Sequence, residues 1–111
     1  MSDRVFIDTN VLIYAHDVDA GEKHTVAAGL VEDLWSSKLG ALSVQVLQEF
    51  YVNVTRKIRS PLPKKAAREV VKTYSAWHVE PVGAEDVVRA SAVEERHKIS
   101  FWDALIIVAA H

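Results

Sequence analysis

Val5-Phe6-Ile7-Asp8-Thr9-Asn10-Val11-Leu12 is the stretch on which the fold turns. Val5, Phe6 and Ile7 are bulky and apolar, and two of them are β-branched. That is the pattern of a short strand buried on both faces. Asp8-Thr9-Asn10 breaks the run, and Thr9 and Asn10 are both good helix N-caps. Val11-Leu12-Ile13-Tyr14 then resumes the apolar pattern. Asp8 therefore stands where a buried parallel strand hands over to a helix. In open α/β sheets, ligands bind in the crevice beyond the carboxyl ends of the strands. A carboxylate there suits a hard cation held through oxygen ligands. Asp8 would otherwise serve only as a cap or turn former. This stretch alone leaves both roles open.

Outward from it, strand and helix patterns alternate. The first helix is expected to end near His16, before the turn cluster Asp17-Val18-Asp19-Ala20-Gly21. A second helix is expected over residues 22–38, with Val26, Leu30, Val31, Leu34 and Trp35 facing the core and Gly40 ending it. Ala41-Leu42 reads as a second strand, and Ser43 as the cap of the next helix. That third helix covers residues 44–58. Leu47, Tyr51, Val54 and Ile58 form its apolar stripe, flanked by Val46 and Phe50. Glu49, Asn53 and Arg56 fall on a separate stripe. Ser60-Pro61-Leu62-Pro63 breaks the helix. A fourth opens at Pro63 or Lys64, with Ala66, Ala67, Val70, Val71 and Tyr74 on one side and basic residues on the other. Residues 77–82 read as a third strand, placed at a sheet edge by Pro81. A fifth helix covers residues 84–98. Ser100-Phe101-Trp102-Asp103 opens a sixth with capping-box spacing. The residues after it are apolar on every side, so this helix should be buried all round. The alternation implies βαβ units and a mainly parallel sheet in an α/β fold. Three strands are few for such a sheet.

At 111 residues the chain has the size of a single domain, spanning 1–111. Half its residues are hydrophobic and a quarter charged, so a packed core is expected and disorder is not. The absence of cysteine excludes disulfides and thiolate metal sites, and fits a cytoplasmic protein. Met1-Ser2-Asp3-Arg4 does not open a signal peptide, and no apolar run is long enough to span a bilayer. The net charge of −2 argues against a protein that coats nucleic acid with a wholly basic surface. The charge is uneven, however. From Arg56 to Lys72 the chain has seven basic residues (Arg56, Lys57, Arg59, Lys64, Lys65, Arg68 and Lys72) against one acid, Glu69. A basic segment on an acidic body suggests a local anionic partner.

Three acids sit at equivalent places in the pattern. Asp8 ends the first strand, Glu49 lies in the first two turns after the second strand, and Asp103 lies in the first turn of the last helix. Strand ends and helix starts share one face of a doubly wound sheet. Carboxylates far apart in sequence can therefore converge there. Clustered carboxylates repel unless a cation neutralises them, and oxygen-only ligands suit Mg²⁺ or Mn²⁺. Each acid also has a plainer role. Glu49 would otherwise be simply solvent-exposed, and Asp103 would only cap its helix.

Taken together, these segments resemble a known family. Val5-Phe6-Ile7-Asp8-Thr9-Asn10-Val11-Leu12, the Gln48-Glu49-Phe50 region and Ser100-Phe101-Trp102-Asp103-Ala104-Leu105-Ile106 look like the three successive acidic motifs of PIN-domain nucleases. They look most like those of VapC-type toxins of toxin–antitoxin pairs. Any one motif is weak; the order, element types and spacing of all three are specific, and they span the chain. The resemblance implies a three-layer α/β/α fold and a Mg²⁺- or Mn²⁺-dependent endoribonuclease. It implies a homodimer, an RNA substrate and a cognate antitoxin, with no membrane association. Asp8, Glu49 and Asp103 would then be metal ligands and catalytic residues, supported by hydrogen bonds from Thr9 or Asn10. Arg56, Lys64, Lys65 and Arg68 would meet RNA or a partner.

The sequence departs from the family in one respect. Members continue beyond the last helix into further strands, with a fourth acid after the next one. Neither appears before His111, and the expectation is a C-terminally incomplete domain, its last strands missing, with weak or absent activity. A catalytically inactive PIN-like module that binds RNA or an antitoxin is the alternative. A phosphate-accepting receiver domain also carries acids beyond its first strand. This chain, however, lacks a second acid beside Asp8 and a strand-end Asp in mid-chain. It also lacks the glycine-rich loop of nucleotide hydrolases.

Overall fold

β2 (Gly40–Ser43) is the centre of the sheet, and all of its residues are buried. It pairs in parallel with β1 (Val5–Phe6) on one side and β3 (His78–Glu80) on the other. The register sets Phe6 beside Ala41, and Ser43 beside Glu80. The computed structural model describes residues 4–81 and 83–110, without the side chains of Trp102, Ile106, Ala109 and Ala110. Around the sheet run α1 (Thr9–His16), a 3-10 turn (Val18–Ala20), α2 (Glu22–Ser37), α3 (Val44–Arg56), α4 (Lys64–Tyr74), α5 (Ala84–His97) and α6 (Phe101–Ala110). The connections are the βαβ units that the alternating pattern implies.

α1 to α4 close the main core. Leu12, Leu42, Val46, Phe50, Val54 and Ala67 are its most buried members, joined by Ile7, Val31, Leu34, Tyr74 and Trp77. α5 and α6 pack on each other in a second cluster of Ala90, Ala104, Leu105 and Val108. α6 also meets β2 and α3. The sheet is thus covered by two sets of helices, an α/β/α arrangement. Successive residues of a strand face opposite ways. That is why both Ala41 and Leu42 of the central strand are fully buried.

Several elements differ from the expectations set by pattern. β1 is not buried on both faces. Among the described residues it lies at the sheet edge, paired with β2, and Val5 is 40% exposed. Only Ile7, just past the strand, is deeply buried. On α2 the buried line is Ala27, Val31 and Leu34, while Val26, Leu30 and Trp35 are exposed. A surface helix buries one stripe, and the flanking positions are turned about 100° away from it. Gly40 does not end α2. Lys38 does, in the left-handed conformation at φ 63°, with its N–H bonded to the Leu34 carbonyl. Gly40 instead opens β2 beneath Trp77, whose ring atoms come within 2.6 Å of where a Cβ would stand.

On α3 the deeply buried line is Val46, Phe50 and Val54, with Gln45. Leu47, Tyr51 and Ile58 are only partly buried. α3 packs against α1, β2 and α6 as well as α4, and a groove between α3 and α4 leaves the Leu47 and Tyr51 side less completely covered. α6 is not buried all round, because Ile107 is 45% exposed. The third strand is shorter than expected, and Val82, its expected last residue, lies outside the described residues.

Candidate functional site

Parallel pairing brings the carboxyl ends of β1 and β2 to one edge of the sheet. Asp8 stands there as the N-cap of α1, with extended backbone at φ −69° and ψ 148°. Its main-chain carbonyl accepts the amides of Val11 and Leu12 at 3.1 and 3.3 Å. Its side chain makes no capping hydrogen bond. The exposed carboxylate is therefore not used in holding the helix end. Thr9 is the first residue of the helix rather than its cap. It is buried, and its hydroxyl has no hydrogen-bond partner among the described residues. Asn10 is exposed.

Glu49 reaches the same region from α3. Ser43 caps that helix as expected, its Oγ accepting the Val46 amide at 3.1 Å. Glu49 is half-buried, and Gln45 Nε2 donates to its Oε1 at 2.9 Å. One turn on, Asn53 Nδ2 donates to the Glu49 main-chain carbonyl at 2.8 Å. Burial pushes the Glu49 carboxyl above its usual range, and the charge of Asp103 pushes it the same way. The Gln45 hydrogen bond opposes them, Asp8 adds a further upward push, and Lys57 pulls down.

Asp103 enters from α6. Ser100 Oγ accepts the Asp103 amide at 3.0 Å, so the serine hydroxyl caps the helix. Asp103 is exposed. The carboxylates of Asp8 and Asp103 both act electrostatically on Glu49, although three separate elements supply them. Among the described residues, no three His, Asp or Glu side chains stand close enough to share a cation as placed. Like charges with no cation between them favour such a spread arrangement. The donor set is oxygen-only and negatively charged, which fits a hard divalent cation.

Beside Glu49 lies a cleft of about 250 Å³ lined by Gln48, Glu49, Val52, Asn53 and Lys57. Arg56, expected on the Glu49 stripe, does not line it. The basic residues of α4, Lys64, Lys65, Arg68 and Lys72, are all exposed opposite its buried Ala67 and Tyr74. Between α3 and α4 runs an almost wholly apolar groove of about 460 Å³. Val44, Leu47, Tyr51 and Val71 line it, with Arg68 among its lining residues.

A family model described as PIN domain matches residues 5–111. The chain belongs to the PIN domain family. PIN domains are in general metal-dependent nucleases that act on nucleic acid, and the α/β/α fold described above is theirs. No curated protein matches the chain. In this PIN domain no helix among the described residues is long and apolar enough to cross a membrane.

Two residues of this PIN domain's acidic region escape a motif reading. Gln45 supports Glu49 from one turn earlier, and its signal in the sequence is an amide one turn before an acid at a helix start. Lys57 shapes the field at Glu49, but in the sequence it is one basic residue among many.

Proposed function

We propose that this PIN domain is a Mg²⁺- or Mn²⁺-dependent endoribonuclease of the VapC toxin type. Asp8, Glu49 and Asp103 would hold the cation. Thr9 and Asn10 would orient the site through hydrogen bonds, the buried Thr9 hydroxyl being the closer to a structural role. The bound ion would lower the pKa of a water and offset charge on the scissile phosphate. The observation that carries this reading is where a chain matched as a PIN domain over residues 5–111 puts its acids: Asp8 just after β1, Asp103 in the first turn of α6, which packs on β2 and α3, and Glu49 on α3 after β2. The half-buried Glu49 carboxylate feels both Asp103 and Asp8, from elements that meet only in the folded chain. Such repulsion is costly without a cation to offset it.

Arg56 at the end of α3 and Lys64, Lys65 and Arg68 on α4 would gather the RNA backbone or an acidic partner, because all four are exposed. The apolar groove between α3 and α4 would take a cognate antitoxin or a second copy as a further partner, and the setting proposed with this activity is the cytoplasm. Residues 1–111 would act as one domain.

A second reading is an inactive PIN module that binds RNA or an antitoxin. It is favoured by the absence of three acids within metal-sharing distance among the described residues. One assay separates the two. RNA is incubated with the protein in Mg²⁺ or Mn²⁺, with EDTA as control and Asp8→Asn and Asp103→Asn as variants. The nuclease reading requires cleavage that both EDTA and the variants abolish. RNA bound but left intact under all conditions establishes the inactive module.

A further inference from the structure

The cleft beside Glu49 has a composition that the acids do not explain. It is lined by two side-chain amides, Gln48 and Asn53, one cation, Lys57, one apolar residue, Val52, and Glu49 itself. Its volume of about 250 Å³ falls just below the roughly 300–1,000 Å³ of pockets that bury a drug-sized ligand. It therefore takes a group the size of a nucleobase or a ribose phosphate. The walls come from α3, Glu49, Asn53 and Lys57 lying one turn apart along it, with Lys57 as the C-cap residue. Asn53 is not a loose surface amide. Its Nδ2 is tied to the Glu49 carbonyl at 2.8 Å, which fixes the plane of the group and leaves its oxygen as an acceptor. Lys57 is exposed and close enough to lower the pKa of Glu49.

An anionic substrate approaching three carboxylates needs positive charge beside them. Lys57 supplies it on the cleft side. Arg68 of α4 lines the adjoining apolar groove, which shares Gln48 and Val52 with this cleft, but Lys57 is the cation in the lining of the cleft itself. We propose that this cleft is a nucleotide subsite. Lys57 would hold a backbone phosphate next to the one that is cut, and Asn53 and Gln48 would hydrogen-bond the edge of the flanking base. Side-chain amides read base edges through paired donors and acceptors, whereas a lysine contacts phosphate as a point charge. The subsite rests on the nuclease reading given above, and sets sequence preference within it.

The test is binding, not turnover. Fluorescence anisotropy would follow labelled single-stranded rA, rC, rG and rU oligomers on the full chain in Ca²⁺, across a salt series. Lys57→Ala should weaken all four oligomers by a similar factor, about 5- to 10-fold. It should flatten the slope of log K against log salt by about 0.7, the loss of one phosphate contact on a single strand. Lys57→Arg should restore the slope. Asn53→Ala and Gln48→Ala should leave the slope unchanged and alter the ranking of the four oligomers. Melting curves confirm that each variant folds. An unchanged slope in Lys57→Ala, or amide variants that shift all four oligomers equally or not at all, overturns the subsite while leaving the nuclease reading standing. A parent protein that binds none of the oligomers also overturns the subsite, and the cleavage assay alone then decides the nuclease reading.

Discussion

At the scale of single residues, the acids are the part of the site most legible in the sequence. Asp8 follows an apolar run and Asp103 opens an apolar helix, so both stand out as polar interruptions. Their surroundings are less legible, because a partner such as Gln45 acts through helix geometry and not through any pattern of its own. Asp8 makes no side-chain cap, so Asp8→Asn should leave the metal-free melting temperature almost unchanged. It should weaken Mn²⁺ binding by about 10-fold or more in calorimetric titration, the scale of losing a group that shapes a metal site. A large fall in metal-free stability would make Asp8 a structural residue instead.

Glu49 gives a sharper test. Its carboxyl is held above the usual range by burial, then by Asp103 and Asp8. The folded state therefore keeps its proton to higher pH than the unfolded chain does. Stability from this group is full below the unfolded value of 4.5 and is lost as pH rises through the raised folded value. Glu49→Gln removes that loss. It can still accept the Gln45 hydrogen bond through its amide oxygen. The metal-free variant should melt higher than the parent at pH 7 and show no gain at pH 4.5. A lower melting temperature at pH 7 would mean that Glu49 is stabilised by partners rather than strained by them.

At the scale of elements, helix and strand existence followed from periodicity, whereas facing did not. α3 was legible as an amphipathic helix, but it packs against α1, α4, α6 and β2, and a sequence stripe does not say which neighbour covers it better. Gly40 shows the same limit. Glycine after a helix suggests a stop signal. Here its lack of a side chain serves a contact with Trp77, which lies 37 residues away in the chain and is invisible to local pattern. Gly40→Ala should therefore destabilise by about 1–3 kcal/mol, the usual cost of forcing extra atoms into a packed core. The Trp77 fluorescence should shift with it. Unaltered stability in urea would show that the indole gives way freely. The helix α4 was legible as a basic face over an apolar one. Lys64→Ala and Lys65→Ala should each weaken RNA binding by a similar factor for every sequence, and more at low salt than at high.

At the scale of the whole molecule, one polar contact ties the first helix to the fourth through the core. His16 Nε2 and the Tyr74 hydroxyl lie 2.7 Å apart, and both rings pack edge-on against Phe50. Burial lowers the pKa of His16, and the neighbouring His24 lowers it further. Burial pushes the Tyr74 hydroxyl up to about 12. Each shift favours the neutral form, and the two set opposite ends of a stability plateau. Below the ordinary histidine value of 6.5, the unfolded chain takes up a proton that folded His16 resists, so stability falls as pH drops from there through the lowered folded value. Above 10, the unfolded chain releases a tyrosine proton that folded Tyr74 retains, so stability falls again as pH rises towards about 12. Urea midpoints measured across pH should accordingly be flat between about 6.5 and 10, apart from the titration of other groups. Glu49 acts in the opposite sense at mildly acid pH, so the acid arm is best measured in Glu49→Gln. On that background, Tyr74→Phe should remove the alkaline fall with the acid arm intact. His16→Gln, which keeps a hydrogen-bonding group but cannot titrate, should flatten the acid arm and leave the alkaline one. If the acid arm survives His16→Gln unchanged, its source lies in the carboxylates rather than in the contact between α1 and α4.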